Sequence, residues 1–165
     1  MKATISTIWV IFLLFATSCN TSKQTTETKT ANTDSKTESQ ANQPIISFEQ
    51  TACFGTCPVH KMEIFENGTA VYLANRNVKT KGKFKITLPK NQVQQILDKA
   101  QELNFFELKE EYTANMTDLP TTIIYINDGK NQHKVVAYTG YPENLKEFIK
   151  YLYEFTQSVG WEGKK

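Results

Sequence analysis

Two dipeptides, Asn67-Gly68 and Asp128-Gly129, each sit between runs that alternate apolar and polar residues, and they constrain the fold more than any other feature of the chain. Asn or Asp followed by Gly supplies the positive φ values that a tight hairpin demands, so each dipeptide predicts a pair of antiparallel strands. The first hairpin joins VHKMEIFE to TAVYLAN and the second joins TTIIYIN to KNQHKVVAY. Read as a two-residue loop, Asn67-Gly68 sets Ile64 opposite Val71 and Met62 opposite Leu73, with Glu63, Phe65 and Tyr72 on the other side.

Ile45, Ile46 and Phe48 predict a short strand ahead of the first hairpin. Behind it, KTKGKFKITL from Lys79 to Leu88 alternates Phe84, Ile86 and Leu88 against Lys79, Lys81, Lys83 and Lys85. Pro89 suits the first turn of a helix in which Val93, Ile96, Leu97, Ala100 and Leu103 share a face, and Phe105 and Phe106 follow as core residues. A last helix starts at Pro142, carries Leu145, Phe148, Ile149, Leu152 and Phe155, and stops at Gly160. The order β-β-β-β-α-β-β-α predicts an α+β fold, an antiparallel sheet of about five to six strands with both helices packed on one face. Residues 44–161 are enough for a single hydrophobic core, with 162–165 as a tail.

Ahead of that domain the composition changes twice. Asn20 to Gln43 is Thr, Ser, Asn, Gln and isolated charges, with no aromatic and no aliphatic residue larger than Ala, so it predicts a disordered tether. Residues 1–18 open on Lys2, run through Ile8 to Phe15 and leave by Ala16, Thr17 and Ser18, which is the pattern of an export signal too short to span a bilayer. Ala16-Thr17-Ser18-Cys19 resembles the lipobox of bacterial lipoproteins, which implies acylation of Cys19 and a lipid-anchored place in the cell envelope. Asn20 is not the Asp of an inner-membrane retention signal, so the expected destination is the outer membrane. The membrane is thus an expected partner, alongside another envelope protein or an anionic glycolipid.

The stretch Cys53-Phe54-Gly55-Thr56-Cys57-Pro58-Val59, the Asn67-Gly68 turn, Phe105-Phe106, Tyr112, Asp118-Leu119-Pro120-Thr121 and Trp161 together resemble an exported bacterial domain known as domain of unknown function 6438. That resemblance implies neither a reaction nor a catalytic residue. It has Tyr more often where this chain has His60.

Cys53 and Cys57 support three chemistries. Laid out as strand they would stand about 13 Å apart, so a bond between them requires the chain to reverse, which Gly55 permits. In an oxidising compartment, with Cys19 acylated, the remaining two cysteines pair as a disulfide. A redox role wants an exposed thiolate of lowered pKa, for which the strand after Pro58 supplies no helix dipole. Cu(I) binding would enlist Cys53, Cys57, His60 and Met62, because thiolate, imidazole and thioether are its ligands.

Elsewhere the chain offers little chemistry. It assembles no carboxylate pair, no Ser-His-Asp order and no phosphate-binding glycine loop, so no cofactor and no catalytic role is expected. His133 sits in the polar run KNQHK and reads as solvated; Asp118 reads as a turn-capping residue. From Pro44 onward fifteen Lys and Arg face fourteen Asp and Glu, a balance that does not suggest nucleic acid. Locally, no acidic residue falls between Glu66 and Asp98, so Lys79, Lys81, Lys83 and Lys85 form either an anion-binding ridge or the guard of an edge strand. Tyr112, Tyr138, Tyr141, Tyr151 and Tyr153 are enough to line a binding surface. The expected function is a membrane-anchored, non-catalytic binding or structural module; the alternative is thiol redox or Cu(I) handling at the cysteine pair.

Overall fold

The computed structural model describes residues 43–113 and 118–161; the leader, Cys19 and the tether lie outside them. The expected α+β architecture is present, with seven strands rather than five or six, in the spatial order β4-β3-β2-β1-β6-β7-β5. The strands are β1 (Ile46–Gln50), β2 (Val59–Ile64), β3 (Thr69–Arg76), β4 (Gly82–Thr87), β5 (Glu111–Tyr112), β6 (Thr122–Asn127) and β7 (Gln132–Ala137). All pair antiparallel except β5, which runs parallel to β7. With only two residues, β5 is too short for alternation to announce it.

The helices α1 (Lys90–Glu102) and α2 (Glu143–Ser158) cover one face of the sheet. Their buried residues are Val93, Ile96, Leu97 and Ala100 on α1 and Leu145, Phe148, Leu152 and Thr156 on α2. They pack on Ile46 and Phe48 of β1, Met62 and Ile64 of β2, and Ile124 and Ile126 of β6. Burying each such side chain is worth roughly 2–3 kcal/mol. Phe105, in a short 3₁₀ turn, is fully buried, and Phe106 packs edge-on against it.

The first hairpin departs from the expected register. Its loop is three residues long: Gly68 N–H donates to the Phe65 carbonyl at 2.9 Å, and Phe65 N–H donates to the Thr69 carbonyl at 2.8 Å. Gly68, at φ +80°, is the residue that closes the turn after Glu66 and Asn67 rather than one of its two central residues. Ile64 therefore faces Ala70, and Met62 faces Tyr72. One residue of slip inverts β3, so Tyr72 goes into the core while Val71 and Leu73 face away from the helices. Trp161 stacks on Tyr72 at 4.7 Å and anchors its indole N–H on the Thr156 carbonyl at 2.7 Å, closing the core after α2.

The lysine run is not one long strand either. Asn77 adopts φ +55° and Gly82 φ +135°, so the chain turns through residues 77–81 before β4 begins. Lys79 and Lys81 lie in that connection, and Lys83 and Lys85 lie on β4, an edge strand. All four are exposed.

Candidate functional site

At the end of the sheet where β1 finishes and β2 starts, the connecting residues 51–58 carry the cysteine pair. Cys53 and Cys57 are joined, with their α-carbons 5.8 Å apart, so the reversal has taken place. Gly55 is not what makes it possible. Its φ lies outside the left-handed region, and an added Cβ would approach nothing closer than the Cys53 sulfur at 3.8 Å. The ring is instead docked from the side: Asn77 Nδ2 donates to the Cys57 carbonyl at 2.9 Å. On the other side Thr51 N–H donates to the Thr121 carbonyl at 2.9 Å, and Thr121 N–H donates to Thr51 Oγ1 at 3.0 Å.

This scaffold holds Phe54 in water. The ring is 94% exposed, against 40% for Leu119 and Leu73, the other large hydrophobic residues exposed among those described. Leu119 belongs to the same end of the sheet, just before the Thr121 segment that pairs with Thr51, and Tyr138 Oη accepts from its N–H at 3.1 Å. At this end of the sheet two adjoining depressions of about 270 and 310 Å³ share Gln50, Lys146 and Ile149. Pro58, Tyr153 and Lys150 complete the first, while Leu119, Pro120, Tyr138 and Tyr141 wall the second. Lys146 and Lys150 are the only charged residues in either lining.

Below the groove, His60 and Met62 point into the core rather than toward the cysteines, His60 being only 2% exposed. Gln50 Nε2 donates to Thr122 Oγ1 at 3.5 Å, which turns the Gln50 carbonyl oxygen toward His60 Nε2 at 3.0 Å. His60 is therefore a neutral ring protonated on Nε2, with a bare and buried Nδ1 that has no partner among the described residues. Burial pushes its pKa down to about 4. Phe48, Tyr72 and Tyr153 surround the ring at 5.2–5.8 Å between centroids. The four residues read as a Cu(I) set are thus not gathered into one cluster: two are bonded to each other at the surface and two are packed under the helices. No group of three or more His, Cys, Asp or Glu among the described residues has the arrangement of a metal site.

The remaining sequence-predicted residues fall elsewhere. His133 is half-buried rather than solvated, packing edge-on against Phe105 and donating from Nε2 to the Leu108 carbonyl at 2.9 Å. Asp118 is exposed. Tyr138, Tyr141 and Tyr153 reach the groove; Tyr112 lies on β5 and Tyr151 stacks against Phe148. Lys79, Lys81, Lys83 and Lys85 form no ion pair with a carboxylate among the described residues. Gln50 was not singled out by sequence reading, while Phe54 and Leu119 entered only within the family-like motifs and Ile149 only in the apolar stripe of the last helix. Only Phe54 carried a usable signal, since a side chain inside a five-residue covalent ring has no route to a core.

Among the described residues no helix is long and apolar enough to cross a membrane. Neither a curated protein nor a solved structure matches the chain. The family model described as domain of unknown function (DUF6438) matches residues 44–156, which takes in every strand, α1 and most of α2, and the chain belongs to that family.

Proposed function

We propose that this protein is a lipid-anchored, non-catalytic binding module of the cell envelope that presents the disulfide-closed end of its sheet to a partner. The observation that carries the reading is Phe54: a large aromatic side chain held in water by a covalent ring, at the end of the sheet whose Gln50 and Pro58 line an apolar groove. Rigid aromatic anchors of this kind dominate the energetics of protein contacts, because little side-chain entropy is lost when they are buried. The sequence supports the anchor, through the leader and the lipobox-like Ala16-Thr17-Ser18-Cys19. Strand direction supports the presentation: the polar tether reaches β1 at Ile46, and β1 runs from there toward Gln50 and the disulfide. The disulfide-closed end is thus the end of β1 away from the point where the tether joins it.

Two measurements test this. Labelled palmitate supplied to cells should appear on the wild-type protein and not on Cys19→Ser. A photo-cross-linking residue at position 54 should give discrete adducts in the intact envelope, whereas the same residue at Lys130, on the hairpin at the other end, should not. Equal adduct patterns at both positions, or none at either, would remove the assignment of this end as the contact surface.

A further inference from the structure

Resting on that reading, the groove itself says what kind of partner it takes. Its walls are Ile149, Tyr153, Pro58, Leu119 and Pro120, and its charge comes from Lys146 and Lys150. Among the described residues those lysines are held by pairs along the exposed side of α2, Lys146 to Glu143 at 3.2 Å and Lys150 to Glu154 at 3.8 Å. Exposed pairs at helical spacing are worth a fraction of a kcal/mol, so an incoming carboxylate displaces them easily.

No stretch of this chain outside the described residues matches that chemistry. Residues 1–18 are apolar but contain no Asp or Glu; residues 20–42 contain acids but no large apolar side chain; 114–117 are ANMT and 162–165 are EGKK. None of these stretches joins large apolar side chains to an acid, so none of them is the occupant. Two shallow, adjoining depressions open to solvent suit two side chains of one extended chain, whereas a fatty acyl chain needs an enclosed slot.

We propose that the groove docks an extended segment of a partner protein that combines two large apolar side chains with a carboxylate. The apolar side chains fill the depressions on either side of Gln50, and the carboxylate meets Lys146 and Lys150.

The test uses the detergent-solubilised full chain and three pools of fluorescein-labelled nonapeptides. Each pool carries mixed Leu, Ile and Phe at alternate positions, with Glu, Gln or Lys fixed between them. Anisotropy should show the Glu pool binding about two- to fivefold tighter than the Gln pool and the Lys pool weakest. Lys146→Glu/Lys150→Glu, two exposed substitutions whose folding is checked by circular dichroism, should reverse that order, and Ile149→Glu should abolish binding of all three. Equal binding of the pools, or binding of none, overturns the proposal. So does saturable, Phe54-dependent binding to phosphatidylglycerol vesicles that outcompetes the peptides, which makes the site a lipid surface. A concentration-dependent dimer lost in Ile149→Glu also overturns it, because a second copy then fills the groove. In each of these cases cross-links at position 54 still decide whether this end is a contact surface at all, so the two readings fail separately.

Discussion

His60 and Gln50 stand directly opposite each other on β2 and β1, with the histidine Nε2 3.0 Å from the Gln50 side-chain oxygen. That bond places the ring proton on Nε2 and leaves Nδ1 bare in the core. Protonating Nδ1 would put a charge among Phe48, Tyr72 and Tyr153 with no carboxylate beside it.

The pH dependence of stability follows from this. The unfolded histidine titrates at its ordinary value of 6.5 and the folded one at about 4, so the unfolded state takes up the proton first as pH falls. Stability is fully present above pH ~6.5, declines between ~6.5 and ~4, and levels off for this group below that, with a total loss on the order of 3 kcal/mol. Urea midpoints measured from pH 7.5 to 4 should show the decline. In His60→Phe the slope across that window should largely disappear, and an unchanged slope would mean that other groups set it.

Two glycines should behave in opposite ways. Gly68 has φ +80° and lies so close to the Leu88 carbonyl oxygen that an added Cβ would stand 2.9 Å from it, so Gly68→Ala should cost about 2 kcal/mol or more. Gly55 has ordinary φ and room for a methyl group, so Gly55→Ala should be neutral or stabilising by up to about 1 kcal/mol. Thermal unfolding of both variants under non-reducing conditions makes the comparison.

Tyr72 buries its hydroxyl without a hydrogen-bond partner among the described residues, and that burial raises the phenol's pKa. Thr156 and Gln157 approach the oxygen and offset part of the shift, without completing a bond of good geometry. Removing an unsatisfied buried hydroxyl while keeping the ring should help, so Tyr72→Phe should gain about 0.5–1 kcal/mol in denaturant unfolding. A loss of similar size would show that the hydroxyl is bonded in solution.

The disulfide closes a short loop, with a sequence separation of 4. By loop-closure entropy it contributes about 2 kcal/mol at most, so Cys53→Ala/Cys57→Ala should fold, with a modestly lower midpoint. The larger effect should fall on adduct formation at position 54, because the ring that holds the aromatic group outward would be open. Full adduct yield in that double variant would show that the bond does not organise the contact.

Lys83 and Lys85 lie on β4, whose outer backbone groups have no neighbouring strand. Charged side chains on such an edge oppose pairing with another sheet. Lys83→Val/Lys85→Val should therefore leave the unfolding midpoint nearly unchanged while adding concentration-dependent association in sedimentation experiments. If the double variant stays monomeric, the lysines are not acting as an edge guard.

The elements and the buried faces of both helices were legible in the sequence, because Val93, Ile96, Leu97 and Ala100, or Leu145, Phe148 and Leu152, recur at a period set by the local backbone. So were the glycine-marked hairpins. The register of the first hairpin was not: a loop of two residues and one of three look alike in sequence, and the hydrogen bonds that Gly68 makes with Phe65 and Leu88 choose between them. That choice buried Tyr72 and turned Leu73 outward. Nor could periodicity show that β1 lies between β2 and β6, since strand pairing is a relation between distant segments. The groove depends on that arrangement. It exists because Gln50, Leu119 and Ile149, far apart in the chain, are brought to one end of the sheet once the core beneath them has packed.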